Sequence, residues 1–246
     1  MKILEKLLAK RKDIYGAPGV TIAFLGDSVT QGCFEVYKTD SDSIETVFDP
    51  VNAYSMKLRE LLAVLYPNVQ VNIINSGISG DSAANGAIRL ERDILRYQPD
   101  LVVVSYGLND STLGRGRISE YTDALAMIFE RLKAADIECI FLTENMMNTY
   151  VSSHIQDENL RKTAQAFADI ENSGTLSAFF QAAKKVAVEY NVPVCDCYAR
   201  WRRMFESGVD TTELLANHLN HPIREMTNIF ANSLLECFFN CHQGLP

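Results

Sequence analysis

Short apolar runs alternate with longer amphipathic ones along this chain. Residues 20–25 (VTIAFL), 69–74, 101–105, 137–142 and 192–196 are brief and rich in β-branched side chains, and several are apolar at successive positions. Such runs predict buried strands covered on both faces. Between them, residues 50–65, 81–96, 118–135, 175–190 and 222–239 predict helices. In the last of these, Ile223, Met226, Phe230, Leu234 and Cys237 step by three and four, as a helix docked on a sheet requires. Pro50 suits a first helical turn. The N-terminal 15 residues read as a short amphipathic helix with Ile3, Leu4, Leu7 and Leu8 on one face.

Strands alternating with helices predict an α/β domain with a parallel sheet and helices on both faces. No break in composition marks a second domain, so residues 1–246 read as one unit. The segments 33–49 and 145–174 look inserted, and both fall on the side of the sheet where such folds carry their sites, as a lid or as subunit contacts.

Composition narrows the function. Hydrophobic residues make up 47% and charged residues 22%, ordinary for a globular protein, and the net charge is −8. That balance argues against nucleic acid or an anionic membrane as partner. The basic clusters Lys10-Arg11-Lys12 and 200–203 read as solvated faces. Glu5, Lys6 and Lys10 interrupt the N-terminal apolar stretch, unlike a signal peptide, and no run nears the ~20 apolar residues of a membrane span. A cytoplasmic location is expected. The six cysteines form no Cys-x-x-Cys pair. Cys195 and Cys197 would share a strand face, and Cys237 and Cys241 would share a helix face beside His242. Buried reduced thiols are the expectation, with no metal and no cofactor.

Four loops carry candidate chemistry. Gly26-Asp27-Ser28 follows the first strand; a serine there projects its hydroxyl from the sheet edge and its N–H toward an oxyanion, or simply caps a helix. Asn75-Ser76-Gly77 follows the second strand, where a glycine admits a close ligand or makes an ordinary turn. Gly107-Leu108-Asn109-Asp110 follows the third, offering an Asn donor or an Asx-turn. His221-Pro222 precedes the last helix, with proline holding the histidine extended; a neutral imidazole there is the obvious base for a hydroxyl, or a structural ring.

In that order, Gly-Asp-Ser, Ser-Gly, Gly-Leu-Asn-Asp and His-Pro resemble the block pattern of the GDSL/SGNH hydrolases over residues 20–232. There is no Gly-x-Ser-x-Gly elbow of the α/β-hydrolases. The resemblance implies a three-layer α/β/α sandwich around a parallel, flavodoxin-like five-stranded sheet. It implies Ser28 as nucleophile and His221 as base, with an oxyanion hole from the Ser28 and Gly77 N–H groups and the Asn109 side chain. One position departs from the pattern: where the family carries an aspartate three residues before the histidine, this chain has His218. A Ser–His dyad oriented by a backbone carbonyl is our expectation, with Asp210 and Glu213 as the alternative acids.

The activity so implied is hydrolysis of small acyl esters, acetyl esters on carbohydrates foremost, with a small-molecule ester as the partner. Lipase or thioesterase action on longer chains is the alternative within the class. Outside it stand a phosphate-binding module, for which neither Gly-x-x-x-x-Gly-Lys-Ser/Thr nor Gly-x-Gly-x-x-Gly is present, and a structural subunit that kept the fold alone. Leu234-Leu235 and Phe238-Phe239 suit either internal packing or a homo-oligomer.

Overall fold

A computed structural model describes residues 1–39 and 43–240. In chain order the elements are α1 (Lys2–Lys12), β1 (Val20–Gly26), α2 (Ser28–Gln31), β2 (Cys33–Lys38), β3 (Ile44–Phe48), α3 (Tyr54–Leu65), β4 (Val71–Gly77) and α4 (Ala83–Asp93). There follow β5 (Leu101–Ser105), α5 (Leu108–Ser111), α6 (Ile118–Ala134), β6 (Glu138–Thr143), α7 (Glu158–Asn172), α8 (Thr175–Glu189), β7 (Val194–Asp196), α9 (Cys197–Glu206) and α10 (Thr227–Asn240).

Five strands form one parallel sheet in the order β4-β1-β5-β6-β7. Period-two alternation divides each strand between two cores. Val20, Ile22 and Phe24 of β1 face α1, α3 and α10, whereas Ala23 and Leu25 face α4, α6 and α8. Leu101 and Val103 of β5 follow the first set, and Val102 and Val104 the second. Both faces are covered, which is why the strands read as continuous apolar runs. Each Val, Leu, Ile or Phe so buried contributes about 1.5–3 kcal/mol against exposure.

The chain leaves β1 for β4 on one side and later reaches β5 on the other. The topological switch therefore falls at the carboxyl end of β1. There the register aligns three strand ends, with Gly26 paired to Gly77 and to Ser105. Three of the candidate loops consequently emerge side by side.

Several expectations shift. Residues 50–65 are not one helix: Pro50–Asn52 is a 3-10 turn capped by Asp49, and extended Ala53 breaks it from α3. Pro222 does not start the last helix. It forms a β-bridge with Leu215, flanked by Ala216 N–H to His221 O at 2.7 Å and Ile223 N–H to Leu214 O at 2.9 Å. Helical structure resumes only at Arg224, as a 3-10 turn ahead of α10. Cys197 opens α9 under an Asp196 cap rather than continuing a strand with Cys195. Leu8 is exposed, off the buried face of α1. The segment 33–49 is a β2–β3 hairpin, apart from residues 40–42, which lie outside the described residues, as do Cys241 and His242. The segment 145–174 is a loop followed by α7. Leu234 and Phe238 pack inward, while Phe239 is exposed.

Candidate active site

Ser28 is the first residue of α2, directly after β1, with Asp27 as helix cap. The Asp27 carboxylate accepts from Val29 N–H at 3.0 Å, which fixes the turn. Ser28 N–H has no protein acceptor among the described residues, as expected for the first turn of a helix. His221 lies 193 residues further along, yet its Nε2 is 2.9 Å from Ser28 Oγ. Its other nitrogen, Nδ1, is 2.9 Å from the carbonyl oxygen of Phe34 in β2. A carbonyl can only accept, so Nδ1 carries the proton and Nε2 is left to accept from the serine. Burial pushes the His221 pKa down to about 4, opposed by the Phe34 bond, so the ring is neutral at neutral pH.

The histidine is thus oriented by a backbone carbonyl. Neither alternative acid reaches it: Asp210 accepts from Tyr150 OH at 2.7 Å, and Glu213 from Tyr150 OH and Ser152 Oγ at 3.3 Å each. Phe34 is held in turn by Arg224, whose guanidinium lies 4.4 Å from its ring centroid. The same guanidinium grips Glu35 at 2.6 and 3.0 Å and Asp49 at 2.8 Å, tying both strands of the hairpin to the start of the last helical segment.

The histidine loop is fastened from inside by Asn217. Its Oδ1 accepts the N–H groups of Leu219, Asn220 and His221 at 3.0, 3.0 and 2.9 Å. Asn145, just beyond β6, donates to Asn220 O at 2.8 Å.

Asn109 lies beside the serine turn. Its Nδ2 donates to Asp27 Oδ2 at 3.1 Å and to Asp81 O at 2.9 Å, bridging the loops after β1 and β4. The Gly77 N–H, expected as an oxyanion donor, is engaged by Asn75 Oδ1 at 3.0 Å. Gly77 serves packing instead, since a Cβ there would run into the backbone of Gln31. In the same loop Ile78 N–H goes to Gly26 O, Ser79 N–H to Gln31 Oε1 and Asp81 N–H to Ile78 O. Of residues 77–81, Gly80 alone keeps an N–H without an acceptor among the described residues, at a φ of +76° that suits glycine. Beneath this loop, buried Arg89 bonds Asp81 Oδ2 at 2.8 Å, Gly26 O at 3.0 Å and Tyr106 OH at 2.8 Å.

Under the serine turn lies a knot of buried acids. Burial raises Asp27 to about 6 and Asp110 to about 7, and drives Glu144 well above the carboxylate range. Glu144 Oε2 accepts from Leu108 N–H at 3.0 Å, while its Oε1 has no donor. Burial and the neighbouring Asp27 charge keep Glu144 protonated, and Asp27 is the more readily ionised of the two. Glu144 and Asn217 went unnoticed in the sequence, and the expected backbone carbonyl had no residue assigned to it. For Glu144 a signal existed, an acid just past a strand's carboxyl end; a backbone carbonyl leaves none.

The GDSL-like lipase/acylhydrolase family model matches residues 24–225. An acetylxylan esterase of Geobacillus stearothermophilus is 30% identical over 92 residues, 37% of this chain and 40% of that protein. An arylesterase of Vibrio mimicus is 30% identical over 89 residues, 33% of this chain and 44% of that protein. The matched stretch thus spans less than half the length of these curated relatives. The crystal structure of an acetyl xylan esterase superimposes with a TM-score of 0.63 at 17% identity, covering 88% of this chain and 98% of that one. At that identity the likeness is one of fold, the three-layer α/β/α sandwich expected from the sequence. No helix among the described residues is long and apolar enough to cross a membrane.

Proposed function

The chain belongs to the GDSL-like lipase/acylhydrolase family, and from that we propose that it is a serine ester hydrolase acting on small acyl esters, acetyl esters of carbohydrates foremost. The observation that carries the reading is the relay Ser28 Oγ–His221 Nε2 at 2.9 Å with His221 Nδ1–Phe34 O at 2.9 Å. It supplies a hydroxyl, a neutral base and a fixed tautomer in one line.

Ser28 Oγ attacks the ester carbonyl as its proton passes to His221 Nε2. The imidazolium then protonates the leaving alcohol, giving an acyl-Ser28. Water, deprotonated by the same nitrogen, attacks the acyl carbon and releases the acid. The tetrahedral oxyanion is received by the Ser28 and Gly80 N–H groups, both without acceptors among the described residues, and by Asn109 Nδ2 turning from its present acceptors. The mechanism is that of a dyad, with Phe34 O doing the orienting that an aspartate does elsewhere. Support for acetyl over longer acyl groups comes from the acetylxylan esterase to which part of the chain is similar.

The test is hydrolysis of p-nitrophenyl acetate, butyrate and octanoate by the wild type, Ser28→Ala and His221→Ala. The expected result is a preference for acetate and a loss of roughly 10³-fold or more in each variant. Activity untouched by either change would overturn the mechanism. A preference for octanoate would overturn the acyl assignment alone.

A further inference from the structure

We propose that His154, Glu213 and His218 bind one divalent cation of the zinc class, at a site separate from the Ser28–His221 pair. One ligand atom from each of the three residues lies within 4.8 Å of the others. His154 Nε2 is 3.8 Å from Glu213 Oε2, and His218 Nδ1 is 3.8 Å from Glu213 Oε1. These separations are too long for hydrogen bonds. They are close to the ~3.4 Å between two ligand atoms that each stand about 2.0–2.1 Å from a tetrahedral ion. A carboxylate and two imidazole nitrogens spaced in this way leave room for an ion among them.

The surroundings leave these donors available. His218 Nδ1 is buried and has no hydrogen-bond partner, which is costly for a ring nitrogen unless something else meets it. The two rings are stacked, with centroids 4.9 Å apart and planes 15° from parallel, so their in-plane lone pairs meet on one ion once the exposed His154 ring turns about its side-chain bonds. Glu213 Oε1 is oriented by Tyr150 OH and Ser152 Oγ, the kind of outer support that ligating carboxylates have. Solvent reaches the group, because the His154 side chain is 66% exposed and that of Glu213 43%.

The donor set decides the ion. Two imidazole nitrogens and one carboxylate oxygen suit zinc and its first-row neighbours, whereas calcium and magnesium call for oxygen throughout. Water completes the fourth position. The cation would also stiffen the histidine loop, since His218 directly follows Asn217, whose side chain holds His221 N–H.

The experiment is calorimetric titration of the chelator-treated full chain with zinc chloride, alongside the absorption spectrum with cobalt(II). One zinc per chain at micromolar affinity, an intense visible cobalt band of tetrahedral type, and a raised Tm with zinc are expected. His154→Ala and Glu213→Gln change exposed side chains, and each should weaken zinc at least tenfold and abolish the cobalt band. No binding tighter than about 0.1 mM, a millimolar-range site falling outside the structural zinc regime, would overturn the proposal. So would equal affinity in the His154→Ala/Glu213→Gln double variant, which would put the ion elsewhere, or competition by calcium at equal concentration. None of these readouts depends on ester hydrolysis.

Discussion

Truncating Asn217 to alanine removes one oxygen that three backbone N–H groups share, at 3.0, 3.0 and 2.9 Å. Asn217 and the three residues it serves, Leu219, Asn220 and His221, are at most 7% exposed, so solvent is a poor substitute. Orphaning a buried donor costs about 1–3 kcal/mol, and water entering the alanine cavity holds the sum near the low end, about 3 kcal/mol for the three. For a chain of this size that is a Tm lower by roughly 6–12 °C. The same loop sets His221 against Ser28, and a shift of about 1 Å at a reacting group costs on the order of 10²-fold in rate. Asn217→Asp keeps the shared oxygen and replaces the Nδ2 donation to Asn220 Oδ1, 3.0 Å in the wild type, by a carboxylate oxygen that Asn220 meets by turning its own amide group over. It should lose about 1 kcal/mol and most of the rate should survive. Scanning calorimetry reads the first quantity, and kcat for p-nitrophenyl acetate the second. Equal losses in the two variants, or an alanine variant as stable as the wild type, would show that the three-way acceptor does not organise the loop.

Two further outcomes follow from the site's geometry. Arg224→Ala releases Glu35, Asp49 and the Phe34 ring together, so the Phe34 carbonyl should wander from His221 and kcat should fall about tenfold with KM little changed, an intermediate loss for a contact that acts through another residue; an unchanged kcat would separate the clamp from catalysis. Because burial lowers His221 to about 4, the base is neutral above that pH, and kcat/KM should rise through about pH 4 instead of 6.5. Folding linkage has the matching sign: the unfolded chain binds the extra proton between about pH 6.5 and 4, so the part of stability owed to His221 is lost as pH falls through that window. A half-maximal rate near pH 6.5 would refute the burial argument.

What was legible in the residues was whatever depends on local pattern. Leu101-Val-Val-Val-Ser105 predicts a strand covered on both faces because no polar side chain interrupts it, and it is one. Residues 118–135 and 175–190 predicted α6 and α8 to within one residue, since their apolar stripes have a single period and clear stops. Boundaries failed where a distant partner intervened. Residues 50–65 broke at Ala53, beside the return of the hairpin, where Asp49 N–H is held by Gly32 O at 2.8 Å. Pro222 was drawn into a bridge with Leu215 in place of a helix.

The candidate site divides along the same line. Ser28, Asn109 and His221 were readable because each is a side chain whose chemistry is peculiar to its type and whose loop follows from the strand pattern. That they meet depends on the register that sets Gly26 beside Gly77 and Ser105, and on a hairpin that a polar, acidic stretch did not announce. The choice of His221's second partner belongs to tertiary structure alone, because the acceptor is a main-chain oxygen that every residue possesses. So does the exchange of Gly77 for Gly80: both are glycines, and only the hydrogen bonds around them tell which N–H is still open. Sequence records the kinds of groups available, whereas the packed chain decides which of them are already satisfied, since that depends on neighbours brought in from far along the backbone.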